Sequence, residues 1–185
     1  MIVRMPSSTR PRLKAGLSVR ELAIFALLGV FMFLSKLLME ALPNIHLLGT
    51  LTVAYTLTYR KKALIPIYTY VFLNGLYAGF SLWWMPYLYI WTILWGMTML
   101  VPRRLPHGVL TFLLPVLSAL HGLAFGTLYA PAQALLFGFD FKETLAWIAT
   151  GLPFDLIHAF GNLLLGFLIL PLYRLLYFLT YREKI

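Results

Sequence analysis

The chain has no cysteine, so disulfide bonds, thiol catalysis and thiolate metal sites are excluded at once. Charge is also scarce: Asp, Glu, Lys and Arg make up 11% of the 185 residues, and only 6 of these are acidic. A soluble domain carries about 25% charged residues, so this surface is not built for water. Sustained alternation of apolar and polar positions is missing as well, which removes transmembrane β-barrels. There is no glycine-rich phosphate loop, so any nucleotide chemistry belongs to another chain.

What is present is apolar: 61% of residues are hydrophobic, in continuous runs, and mean hydropathy is +0.84. This composition predicts an all-α integral membrane protein. At about 20 residues per span, the length allows about six transmembrane helices in a single domain. The runs are Val19 to Leu42, His46 to Tyr59, Ala63 to Phe80, Trp83 to Val101, Gly108 to Tyr129 and Pro153 to Tyr173. Pro43 and Asn44 break the first, and Pro102, Arg103 and Arg104 stop the fourth. The basic segment 1–17 reads as a cytoplasmic arm before a retained first helix, because no small-residue cleavage site follows the first run. Between Ala130 and Gly151 the pattern is irregular, and Asp140 with Glu143 three residues later predicts a capping box opening a short surface helix. Pro153, a favoured first helical residue, predicts the start of the sixth span, and 174–185 read as a cytoplasmic tail.

Fifteen basic against six acidic residues give a net charge of +9. In a soluble protein that would point to nucleic acid; in this chain it points to topology, and no nucleic-acid partner is expected. Five basic residues lie at the N-terminal end, three at Arg60, Lys61 and Lys62, two at Arg103 and Arg104, and three at Arg174, Arg182 and Lys184. Those 13 of 15 share one side, so the positive-inside rule places both termini in the cytoplasm. Under this topology Lys36, Glu40, Asn74, His121, Asp155, His158 and Asn162 all fall in the outer half of the bilayer, where a charged group costs about 2.5–3.5 kcal/mol. The inner halves are almost purely aliphatic and aromatic. The pattern describes an outward-facing ligand cup without an inner path, unlike a pore or a self-sufficient carrier.

Asp155, His158 and Asn162, at offsets 0, 3 and 7, share one helical face. Tyr87, Trp91 and Trp95 form an i, i+4, i+8 stripe entering from the aromatic belt at Trp83 and Trp84. The candidate ligand contacts are therefore Asn74, Trp84, Tyr87, Trp91, His121, Asp155, His158 and Asn162. Each has a plainer role beside it. Asp155 would sit in the first turn of a helix opened by Pro153, where the macrodipole favours a carboxylate. Lys36 and Glu40 can pair at i, i+4, His121 can bridge two helices, and the stripe can pack on a neighbour. Gly75 with Gly79 and Gly122 with Gly126 form GxxxG pairs suited to close helix packing. Ala23, Ala26 and Gly29 make a smooth stripe for another helix, in this chain or a partner subunit. No catalytic set emerges. Ser118 one turn from His121 is unexceptional, and Asp155 with His158 supplies two metal ligands where three or four are needed.

The stretches ALPNIHLLGTLTVAYTL (Ala41 to Leu57), NGLYAGFSLWWMPYLYIW (Asn74 to Trp91) and GLPFDLIHAFGN (Gly151 to Asn162) resemble one subgroup of the substrate-binding S components of energy-coupling factor (ECF) vitamin transporters of Gram-positive bacteria. The resemblance implies a plasma-membrane protein that captures a vitamin outside. Its partners would be a transmembrane coupling subunit and two ATPase subunits that drive import, the loaded cup toppling in the membrane. The vitamin is cargo and no cofactor is implied. Within the subgroup the likeness is to cobalamin-specific members; a pyridoxine-like compound, a queuosine precursor and pantothenate are the alternatives. The resemblance assigns lid roles to Pro43 to Leu48, with Asn44 and His46, and to Gly79 to Met85, with Ser81. The family's AxxxA coupling motif is absent as such, its place taken by Ala23, Ala26 and Gly29 at spacing three. From other classes, a small intramembrane enzyme acting on lipid through Asp155 and His158, or a purely structural subunit, stays open.

Overall fold

The computed structural model describes residues 16–102 and 104–181, and all regular secondary structure among them is helical. Most of the N-terminal arm, Arg103, Arg182 and Lys184 lie outside the described residues. The helices are α1 (Val19–Leu38), α2 (Leu48–Tyr59), α3 (Leu64–Ala78), α4 (Tyr87–Leu100), α5 (His107–Leu123), α6 (Phe125–Phe137), α7 (Phe141–Gly166) and α8 (Ile169–Tyr181). Single 3₁₀ turns lie at Arg60–Ala63 and Leu82–Trp84. Three helical stretches are long and apolar enough to cross a membrane: Val19–Leu38, His107–Phe137 and Phe141–Gly166. Their outward faces carry large apolar side chains, including Leu27, Phe31, Phe112, Leu135 and Phe160, all exposed. In water such a surface would aggregate, whereas hydrocarbon solvates it.

A capping box opens α1: Ser18 Oγ accepts from Glu21 N–H at 3.1 Å, and the Glu21 carboxylate accepts from Ser18 N–H at 3.0 Å. The helix ends at Leu38, short of the expected Leu42, and Lys36 pairs with Glu40 at 3.2 Å as its spacing predicts. Gly29 is buried against α3, where a Cβ would come within 2.8 Å of the Pro66 carbonyl. Ala23 and Ala26 remain exposed, so the smooth stripe divides: Gly29 serves the chain's own packing and the alanines do not.

The second helix is the centre of the bundle. Eleven of its twelve residues are buried, and α1, α4, α5, α7 and α8 all touch it. Its length, about 18 Å, is below a bilayer's hydrocarbon thickness of about 30 Å, because it is surrounded by protein and not by lipid. Burial on every side explains its lack of an apolar stripe. Its threonines serve themselves: Thr56 Oγ1 donates to the Thr52 carbonyl at 2.6 Å and Thr58 Oγ1 to that of Ala54 at 2.8 Å. At its end Arg60 has a φ of +55°, its carbonyl accepts from Trp95 Nε1 at 3.1 Å, and its guanidinium donates to the Met99 carbonyl at 3.0 Å.

The expected boundaries change in the second half. Helix α5 ends at Leu123, Ala124 makes a one-residue break, and α6 continues to Phe137, so 130–137 are helical and not irregular. Gly138, at φ +72°, supplies the left-handed residue that closes α6. The capping box is present, with Glu143 N–H donating to Asp140 Oδ1 at 2.7 Å and Asp140 N–H to Glu143 Oε2 at 2.9 Å. The helix it opens is not short: α7 runs 26 residues, straight through Pro153. Pro153 therefore opens nothing. A helix already nucleated at Asp140 loses one N–H at the proline and continues, as helices in apolar surroundings commonly do. After Gly166, two turn residues lead into α8, so Arg174 lies on a helix and not in a tail.

Candidate functional site

Helices α5 and α7 pack antiparallel along two matched ladders, 115, 118, 122, 126 on one side and 166, 162, 158, 155 on the other. A Cβ on Gly166 would lie 2.6 Å from Pro115 Cα, and one on Gly122 would lie 2.8 Å from Asn162 Nδ2 and 3.1 Å from the His158 carbonyl carbon. Gly126, just across the break, meets the Asp155 carboxylate. The face carrying Asp155, His158 and Asn162 is thus the face that α7 turns to α5. Asn162 Nδ2 donates to the Ser118 carbonyl at 3.1 Å. Gly126 N–H donates to both carboxylate oxygens of Asp155, at 3.0 and 3.1 Å. Gly126 is the second residue of α6, whose first turn has no side-chain cap of its own, so Asp155 caps α6 from another helix. The first-turn reading of Asp155 fails because the residue lies well inside α7, yet a helix dipole does hold it.

His158 is the member of that face left for other work. Its ring centroid lies 4.9 Å from those of both His46 and Phe125. His46 in turn is 6.2 Å from Trp91, and Trp91 is 5.8 Å from His121, 6.0 Å from Phe125, 6.2 Å from Tyr87 and 5.9 Å from Tyr70. One continuous aromatic cluster therefore joins the α1–α2 loop, α3, α4, α5, α6 and α7. At its centre Trp91 is 1% exposed. The Tyr87–Trp91 stripe enters this cluster, whereas Trp95 turns to the Arg60 carbonyl at the other end. Tyr70 and Phe125 were not among the expected contacts. Phe125 was findable, since it follows His121 by four residues, about one turn.

Several polar atoms in and beside the cluster are buried and have no partner within the protein: His46 Nδ1, Trp91 Nε1, His121 Nδ1, His158 Nε2 and Asn74 Oδ1, with Ser118 Oγ and Asn162 Oδ1 alongside. Buried polar atoms are nearly always paired, so each of these calls for a partner from outside the protein's own hydrogen bonds, a water or a ligand. His121 Nε2 lies 3.1 Å from the Ile90 carbonyl, which requires the proton on Nε2 and leaves Nδ1 a bare acceptor. Ser118 Oγ and Asn162 Oδ1 converge on Gly49 in the first turn of α2, where a Cβ would lie 2.7 and 2.9 Å from them. Asn74 follows Tyr70 by one turn on α3 and is 2% exposed.

Trp84 stands apart. Its Nε1 donates to the Val71 carbonyl at 2.8 Å, its ring sits edge-on to Phe80 at 5.0 Å, and both cover Gly75. It straps the α3–α4 connection to α3. Gly79, with φ +91°, ends α3 and so does not serve as the second glycine of a packing pair. Ser81 lies in this strap, its N–H donating to the Gly79 carbonyl and its carbonyl accepting from Trp84 N–H, both at 3.0 Å. Tyr129 Oη donates to the Trp83 carbonyl and Tyr89 Oη to that of Leu128 at 2.7 Å, tying strap and α4 to α6. In the other expected lid, Asn44 has φ +59° and turns the chain so that His46 enters the cluster. Among the described residues no group of three metal-ligating side chains is placed to hold a metal ion. Comparison with protein-family models, curated proteins and solved structures finds no match to this chain.

Proposed function

We propose that this chain is the substrate-binding S component of an ECF-type importer in a bacterial plasma membrane. In this reading it spans the bilayer six times with both termini cytoplasmic, captures a vitamin from outside, and relies on a transmembrane coupling subunit and two ATPases for import. The observation that carries the reading is the His46–Trp91–His121–His158 cluster, in which buried polar atoms lack partners and to which loop 39–47 contributes His46. Loop 39–47 contributes His46 to the cluster, so a lid that lifts would expose ligand-binding atoms and a lid that settles would bury the ligand. Cobalamin is the preferred cargo, because aromatic walls without Lys or Arg suit a large vitamin better than a small anion. An acid–base role for Asp155 is less favoured, since both its oxygens accept from Gly126 N–H.

The test is mass spectrometry of small molecules that co-purify with the detergent-solubilised chain, followed by reconstitution. Proteoliposomes holding this chain alone are expected to show no ATP-dependent uptake of the identified vitamin, and adding coupling subunit and ATPases should restore it. Concentrative uptake by the isolated chain, or enzymatic turnover by it, would refute the division of labour.

A further inference from the structure

Helix α2 begins two residues after His46, inside the bundle, and it begins without a side-chain cap. Leu48, Gly49 and Thr50 are buried, and among the described residues no carbonyl or side chain accepts from their backbone N–H groups. Other helices meet the same need from within the protein: α1 and α7 open with capping boxes, and Asp155 accepts from the first turn of α6. Two hydroxyls at this end of α2 are unpartnered as well. Ser118, 0% exposed, holds its Oγ 2.7 Å from where a Cβ on Gly49 would stand, and helical Cβ positions lean toward the N-terminus. Thr50 Oγ1 is buried without a partner, whereas the hydroxyls of Thr56, Thr58, Thr69 and Thr98 each donate to the carbonyl four residues earlier. Asn162 Oδ1, packed 2.9 Å from the same Gly49 position, accepts from none of the three amides.

Resting on the S-component reading, we infer that the N-terminus of α2, with Ser118 and Thr50, is the subsite that takes a carbonyl-type oxygen of the cargo, from a carboxamide or a carboxylate. The three amides are fixed donors and the two hydroxyls can donate beside them. Aligned peptide dipoles add about half a positive charge at this end, which Lys or Arg would otherwise have to supply. A carbonyl or carboxylate oxygen has no proton of its own to place, so it can accept from several of these donors at once. Left without it, each buried donor keeps the cost of its lost hydration, and that cost is what the cargo relieves. The aromatic cluster around Trp91 then holds the body of the cargo while α2 holds its oxygen.

The experiment titrates the full-length chain in lipid nanodiscs by calorimetry with three probes: dicyanocobinamide, which carries carboxamides, pantothenate, which carries a carboxylate, and pyridoxine, whose oxygens are all hydroxyls. One of the first two is expected to bind most tightly, and which one does separates the carboxamide from the carboxylate. For that probe Ser118→Ala and Thr50→Val are each expected to weaken binding about 2–12-fold. The ligand-free variants should melt at or above the wild-type temperature, because each hydroxyl removed had no partner. The bound probe should also slow hydrogen exchange at the amides of 48–50 by at least about tenfold. Tightest binding of pyridoxine, unchanged affinity in both variants, lowered melting in both, or unchanged exchange at 48–50 each overturns the subsite and leaves the S-component reading standing. Silence from all three probes overturns both.

Discussion

Single atoms decide how closely α5 and α7 approach. A Cβ on Gly122 would meet Asn162 Nδ2 at 2.8 Å and the Ala159 backbone nitrogen at 3.1 Å, and a backbone atom cannot step aside as a side-chain tip can. Gly122→Ala is therefore expected to lower stability by about 1–3 kcal/mol, seen as a lower melting temperature in detergent. Gly151, inside α7 with nothing within 4 Å of its Cβ position, is the control: Gly151→Ala should be neutral or stabilising by up to about 1 kcal/mol. Equal effects at both positions would show that the ladder does not limit the approach. Trp91 is the other residue on which much depends. Its truncation to Ala should cost on the order of 3–5 kcal/mol, because His46, Tyr70, Tyr87, His121 and Phe125 all lose contact with it. Asn162→Ala is expected to reduce stability by about 0.5–1.5 kcal/mol even without ligand, since its amide already holds the Ser118 carbonyl.

At the scale of elements, the junction between α5 and α6 is held by a group far away in sequence. The first turn of α6 has no local cap, and Asp155 accepts its Gly126 N–H. Asp155→Asn keeps the shape but removes the charge that faces the helix's positive end. The expected loss is about 0.3–2 kcal/mol, expressed as faster hydrogen exchange at the amides of 125–128 with α5 unaffected. Unchanged exchange there would mean that the carboxylate does not stabilise α6. Helix α7 makes the converse point, because its start is entirely local: Asp140 and Glu143 were legible as a capping box from the sequence. Its extent was not legible. Pro153 has a strong preference for first helical positions, and that preference was outweighed by a helix already running and packed against α5.

For the whole molecule, the absence of cysteine makes single-cysteine mapping clean. Asn44→Cys and Lys142→Cys are expected to react with a membrane-impermeant maleimide from outside intact cells, and Arg104→Cys only after lysis. Labelling of Arg104→Cys from outside would invert the bundle and place the histidine cluster on the cytoplasmic side. The exposed remainder of the small-residue stripe, Ala23 and Ala26, belongs to this scale too. Under the proposed function, Ala23→Leu should leave ligand affinity unchanged and impair assembly with the coupling subunit that this reading requires, because bulk on a smooth face prevents close approach. Loss of ligand affinity in that variant would instead tie α1 to the site.

Composition and local pattern were enough for what depends on single segments. The apolar runs predicted helices because hydrocarbon demands that backbone groups pair within their own segment, and the capping box at Asp140 predicted where one of them begins. Helical spacing likewise placed Asp155, His158 and Asn162 on one face. What that face meets was not in the spacing. Polar groups within apolar helices read the same whether they await a ligand or join two helices, and only the packed bundle separates the cases. It puts Asp155 on the backbone of α6, joins Asn162 to that of α5, and brings His158 to His46 from a loop 112 residues away in sequence. The burial of α2 on every side was equally invisible, since a segment without an apolar stripe carries no mark of which neighbours surround it. Segment chemistry is local and can be read along the chain, whereas the partner of each polar atom is chosen by long-range packing.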